Sequence, residues 1–239
     1  MTPQSSKGTT QPSKGGNDSS AVRLHGIRKR FGYRETLRGI DLDLPRESCT
    51  AILGANGAGK STLLRVVATH WRPSHGTGEV FGWDLLRDAR QIRGRVGVVF
   101  HEHFLRPELS LEENLRYAGD LFGASPCERW DALIDRLGLG PRRRDRVGTF
   151  SQGMAKRASI VRSLLHAPDL WILDEPFSGL DPEGRRLLFD MVRDYNRGGG
   201  TVLLVTHQVD LGRELATTIL ELDDGVFREA DTPAEGGRR

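Results

Sequence analysis

The sequence predicts an α/β domain built on a mainly parallel sheet. Three observations point to it. Short apolar runs bounded by turn residues recur along the chain. Amphipathic helical patterns fall between several of them. One stretch, about 104–165, shows helical patterns and no clear strand, as an insertion into such a core would. Strands alternating with helices favour parallel βαβ units. The 239 residues suffice for one large domain or two small ones, with a core that needs no cross-links.

Residues 1–20 are rich in Ser, Thr, Gly, Pro, Gln and Lys. They cannot bury a core and are expected to be a disordered tail, with no apolar segment of the secretory kind. Val22–Ile27 and Ile40–Leu44 alternate apolar with polar or small residues and read as strands with one wet face. Cys49–Leu53 is short, mostly apolar and stops at glycine, as a strand buried on both faces would. Ser61–Ala68 carries Leu63, Leu64, Val66 and Val67 and reads as a helix. Val96–Phe100, Leu170–Leu173 and Val202–Val205 are further buried strands. Leu111–Leu121, Glu128–Leu137, Met154–Leu165 and Arg185–Tyr195 have helical patterns. Residues 231–239 are expected to be a flexible tail. No internal repeat is present.

Composition excludes several classes. Charged residues make up 28%, yet the net charge is only +3. The densest basic run, Arg142-Arg143-Arg144 before Asp145-Arg146, reads as a solvated loop, because a nucleic-acid surface wants tighter clustering and interleaved aromatics. No run reaches the ~18 consecutive apolar residues of a spanning helix. Two distant cysteines, Cys49 and Cys127, form neither a disulfide framework nor a zinc cluster, which suits a reduced, cytoplasmic protein.

Gly54-Ala55-Asn56-Gly57-Ala58-Gly59-Lys60-Ser61, followed by Thr62, fits the phosphate-loop pattern between a buried strand and a helix. Its glycines let successive N–H groups turn inward toward phosphate oxygens. The following helix aims its positive end at the same place. Lys60 can reach the outer phosphates and the Ser61 hydroxyl suits Mg²⁺. Leu170–Leu173 ends in Asp174-Glu175, where an open α/β sheet places ligand groups. Asp174 there can hold magnesium, directly or through water, and Glu175 can polarise an attacking water. His101-Glu102-His103 suggests a metal site. Its two histidines, however, stand two apart, so they point opposite ways on a strand and converge poorly on a helix.

Taken in order, these motifs resemble those of the ATP-binding cassette (ABC) ATPases, the nucleotide-binding subunits of ABC transporters. The match runs from about Val22 to Phe227. Phe150-Ser151-Gln152-Gly153-Met154, with Lys156 and Arg157 following, is similar to the family signature; alone it would read as an ordinary helix cap. Ser178-Gly179-Leu180-Asp181 resembles the D-loop that crosses the family's dimer interface, and His207 its switch histidine. Phe31 stands where the family stacks an aromatic on adenine; Tyr33 is the other candidate, and core packing the alternative for Phe31. His101 falls at the family's Q-loop glutamine and reads as its substitute rather than as half of a zinc site.

The resemblance implies a P-loop NTPase (RecA-like) core with a mainly parallel sheet, an antiparallel β subdomain and an inserted helical subdomain. The ATPase domain would span 21–230. It implies ATP and Mg²⁺ as ligands, Lys60, Glu175 and His207 as catalytic groups, and Ser61 and Asp174 on the metal. Ser151, Gln152 and Gly153 would face the ATP of a second subunit in a head-to-tail dimer. Integral membrane transporter subunits would be the partners, with the chain peripheral on the cytoplasmic side of the cell membrane. No nucleic-acid partner is expected. His101, Leu109–Leu115, Leu170–Phe177 and Thr206–Gln208 are most similar to haem exporter ATP-binding subunits of the cytochrome c maturation system. Another exporter ATPase, for a drug, lipid or polysaccharide, is the alternative. A non-transport ABC ATPase acting on ribosomes or DNA, and a regulatory module that binds ATP without turnover, are rivals. A single cassette without a heptad array argues against the first, and the Asp174-Glu175 pair with His207 against the second.

Overall fold

The computed structural model describes residues 19–228. The expected tails lie outside that range, save that β1 (Ser20–Phe31) already opens at Ser20. β1 pairs antiparallel with β2 (Arg34–Pro45) and with β4 (His75–Val80), which pairs with β5 (Trp83–Asp84), giving the sheet order β2-β1-β4-β5. Both long strands run well past the apolar alternation seen in sequence, because Gly32-Tyr33 turns one directly into the other.

The second sheet has the order β10-β9-β3-β8-β7-β6. β3 (Cys49–Leu53), β6 (Val96–Val99), β7 (Leu170–Asp174), β8 (Thr201–Val205) and β9 (Thr218–Asp223) are parallel; β10 (Val226–Arg228) adds an antiparallel edge. β7 and β8 are buried at every residue, as their continuous apolar runs require. Each fully buried Leu, Ile or Val contributes about 1.5–3 kcal/mol.

α1 (Lys60–Val67) follows β3, and its Leu63, Leu64, Val66 and Val67 join the cluster between the two sheets. A second cluster lies on the other side of the parallel sheet, beneath α3 (Leu111–Phe122), α4 (Glu128–Arg136), α5 (Gln152–Leu164) and α6 (Pro182–Arg197). Between β6 and β7 the chain is helical, running through α3, α4 and α5; among the described residues the β-pairing of that stretch is a single bridge, Ser110 to Arg146. Gly119 of α3 leaves room for the Trp130 indole, whose Nε1 donates to the Leu165 carbonyl at 3.0 Å.

β4, β5, β9, β10, α2 (Ala89–Arg93) and α7 (Val209–Leu215) were not legible in the sequence. They are short, glycine-bearing or half-exposed, and partner strands rather than local pattern define them. Within the basic run, Arg142 pairs with Asp145 at 2.9 Å and Arg143 with Asp131 at 2.6 Å.

Candidate nucleotide-binding site

Three parallel strands end side by side and build the site. Ile52 of β3 pairs with Val205 of β8, and Val205 with Asp174 of β7, so the residues after each strand share one crevice. Beyond β3, Gly54 takes a φ of 145°, and a Cβ there would stand 2.1 Å from the Leu222 carbonyl oxygen. Gly59, at φ 106°, caps α1, and a Cβ on it would approach the Thr36 oxygen to 2.9 Å. Only glycine satisfies both positions. The loop thereby curls over the first turn of α1, whose N–H groups have no helical partner.

Lys60 is 7% exposed. Its ammonium donates to the carbonyls of Gly54 and Ala55, at 2.7 and 2.9 Å. Ala58, itself buried, closes the loop through its N–H to the Ala55 carbonyl at 3.2 Å. A cleft of about 470 Å³ opens above, lined from the loop side by Asn56, Gly57, Gly59, Lys60, Ser61 and Thr62. Asp174 and Glu175 line it from β7, and Phe31 from the antiparallel sheet. Gly54, Ala55 and Ala58 shape the loop without lining the cleft.

Asp174 is only 4% exposed, and its Oδ1 is buried with no hydrogen-bond partner. Burial raises its pKa, and the Ser61 hydroxyl and the cations Arg65, Lys156 and Lys60 oppose that rise. A desolvated carboxylate oxygen without a donor, beside a hydroxyl, is a donor set that suits a hard divalent cation. Glu175 has a left-handed backbone, φ 47°, an arrangement costing about 1–3 kcal/mol in a non-glycine residue. Its N–H donates to the Val205 carbonyl at 2.9 Å. Its carboxylate meets His207: Oε2 lies 2.7 Å from Nδ1 and accepts the His207 backbone N–H at 3.3 Å.

The remaining candidates lie elsewhere. Ser151 is the N-cap of α5 and accepts the Met154 N–H at 3.2 Å. Gln152 packs beside Gly179. Asp181 caps α6, accepting the Gly184 N–H at 3.0 Å and Arg157 at 2.7 Å. Signature and D-loop positions thus form one exposed patch of α5 and α6, separate from the cleft. Tyr33 is fully exposed and does not line the cleft, whereas Phe31 does. His101 is exposed beyond β6 and stands outside the lining. Glu102 is taken by Arg65, and the described residues contain no cluster of three or more metal-binding side chains.

Sequence reasoning missed Arg34, Thr36 and Val205, which also line the cleft. Arg34 and Thr36 share the hairpin of Phe31, the one available signal. Lys156 carries no local signal beyond its place after the signature, yet it is 4% exposed, and burial lowers its pKa while Asp174 and Glu175 hold it up.

A looped phosphate cradle on a parallel sheet, with the acidic end of a neighbouring strand beside it, defines a P-loop nucleoside triphosphatase. Comparison with known proteins narrows the class. The family model for ABC transporters matches residues 37–178. The chain is 39% identical to the daunorubicin resistance ATP-binding protein DrrA3 of Streptomyces coeruleorubidus, over 86% of this chain and 66% of that protein. It is 33% identical to Nod factor export ATP-binding protein I of Ralstonia nicotianae, over 90% of this chain and 68% of that protein. It thus spans about two-thirds of the length of these relatives. The solved structure of an ATP-binding subunit of an ABC transporter superposes with a TM-score of 0.82 at 27% identity, covering 87% of this chain and 88% of that one. The chain belongs to the ABC transporter family and is its ABC ATPase domain.

Proposed function

We propose that this chain is the ATP-hydrolysing subunit of an ABC exporter, driving transport through a separate integral membrane partner from the cytoplasmic face of the membrane. The observation that carries the reading is the meeting of Lys60, Ser61, Asp174 and Glu175 in one cleft, with His207 bonded to Glu175. Lys60 neutralises the outer phosphates, moving from carbonyl partners to phosphate oxygens. Ser61 and Asp174 would hold Mg²⁺, which would draw charge from the phosphates when bound. Glu175 accepts the proton of the attacking water, and His207 orients the carboxylate and the terminal phosphate. Phe31 stacks on the base at the cleft mouth.

Ser151, Gln152 and Gly153 would meet the ATP of a second ABC subunit, with Asp181 at the same boundary. Their place outside the chain's own cleft supports a head-to-tail dimer, since a patch that cannot reach its own nucleotide is free to reach another. ATP then favours the closed pair, and hydrolysis releases it. His101 begins the loop to the insertion and would serve there in place of glutamine.

Drug resistance and Nod factor export, the roles in the relatives' names, favour an exporter of another small molecule over haem export. The haem reading rests on local likenesses alone, at His101, Leu109–Leu115, Leu170–Phe177 and Thr206–Gln208. ATP-driven haem uptake into inside-out vesicles containing the co-purified membrane subunit would restore it.

The test of the chemistry is Glu175→Gln. It is expected to keep ATP binding and to lower phosphate release about 10²–10⁴-fold. Turnover near the wild-type rate in that variant would show that Glu175 is not the base.

A further inference from the structure

Arg65 stands on α1, whose first residues belong to the phosphate loop, and its guanidinium is held from several sides. Its Nη2 donates to both carboxylate oxygens of Glu102, at 2.8 and 2.6 Å. Its Cζ lies 4.7 Å from the Trp71 ring centroid and 5.4 Å from that of the buried Phe100. Trp71 in turn meets Phe31 edge to face, with centroids 5.0 Å apart and planes at 73°. Phe31 lines the mouth of the nucleotide cleft. Glu102 lies on the loop that leaves β6 for the helical insertion.

An unbroken run of contacts therefore joins the cleft mouth to that loop: Phe31, Trp71, Arg65, Glu102. The Arg65 side chain is 17% exposed and that of Glu102 55%. Aromatic faces shield the cation while the carboxylate meets it from the surface. Both faces of the contact need a planar guanidinium, because an ammonium cannot lie flat against an indole and hold a carboxylate at its edge.

We propose that Arg65 is a positioning residue: through Trp71 it sets Phe31 for the base of a bound nucleotide, and through Glu102 it ties that setting to the loop between core and insertion. The inference rests on the nucleotide reading of the cleft. Linkage makes the coupling reciprocal: if base binding steadies the loop, releasing the loop weakens base binding by the same factor.

Glu102→Gln tests it, since this exposed side chain carries no core packing. Two probes are compared by titration calorimetry, Mg·ATP and magnesium with inorganic triphosphate, which lacks the base. Hydrogen exchange is followed at residues 101–106. Glu102→Gln is expected to weaken ATP binding by about fivefold or more and leave triphosphate binding unchanged. ATP should slow exchange of the loop in the wild type and not in the variant. Arg65→Lys keeps the charge and should reproduce both effects, and the double variant should bind ATP no more weakly than the worse single one. Equal losses for both probes, or unaltered ATP affinity and loop exchange in Glu102→Gln, would overturn the proposal. A wild-type protein that binds neither probe would overturn the nucleotide reading itself.

Discussion

Lys60 holds the loop together, and in the proposed role the same side chain serves the ligand. Its ammonium, buried among carbonyls, stands on Gly54 and Ala55. In the proposed role the same positive charge leaves those oxygens for phosphate, over the short distance that the curled loop keeps. Lys60→Ala is expected to weaken ATP binding about tenfold or more, as loss of a charge-assisted hydrogen bond does. Phosphate release at saturating ATP should fall with it, and unchanged turnover there would contradict the assignment. Glu175 illustrates the opposite economy. Its left-handed backbone is held by the Val205 carbonyl and by His207, so local strain is retained where the carboxylate must point. Glycine, lysine and serine of the loop were legible because they are contiguous and each has a fixed geometric duty. The φ of Glu175 was not, since nothing in LDEP distinguishes it from an ordinary strand end.

At the scale of elements, the insertion depends on caps and on a few contacts between helices. α3 begins with a full capping box: the Ser110 hydroxyl accepts the Glu113 N–H at 3.2 Å, and the Glu113 carboxylate accepts the Ser110 N–H at 2.8 Å. Ser110→Ala should destabilise the domain by about 1 kcal/mol in thermal unfolding. Just past α5, the half-buried His166 stacks on Phe122 of α3 at 4.1 Å and reaches the Val96 carbonyl of β6 at 3.3 Å. Burial holds its pKa below the ordinary 6.5, with Arg162 and Arg129 adding to the effect against the Val96 bond. A depressed histidine contributes stability above pH 6.5 that is lost as pH falls through its folded value. His166→Gln should therefore flatten the acid side of the melting-temperature profile, and an identical profile in the two proteins would refute this. The helices themselves were read from period and apolar face. α3 and α4 start at the expected residues, whereas α5 and α6 start two and three residues earlier, because Ser151 and Asp181 cap them before the apolar pattern begins.

For the whole molecule, the decisive feature is the separation of the signature patch from the cleft. Ser151 and Gln152 are exposed, joined to the Gly179 turn, and occupied only by local bonds. Glu175→Gln, expected to retain ATP, should sediment as a dimer with Mg·ATP and as a monomer without it. Adding Ser151→Arg should abolish the dimer and, by linkage, weaken ATP binding to that of the isolated cleft; a dimer that survives would place the interface elsewhere. By itself the sequence determined the α/β class, the phosphate loop, the acidic strand end, the helical insertion and the motif order. These are written in contiguous residues, where period and local chemistry act over one or two turns. Only the tertiary structure decided that Arg34 and Thr36 line the cleft, that Glu102 pairs with Arg65, that Glu175 and His207 touch, and that β9 and β10 complete the sheet. Those facts depend on strand order and register, which bring together residues far apart in the chain, and no local pattern encodes a partner at that distance.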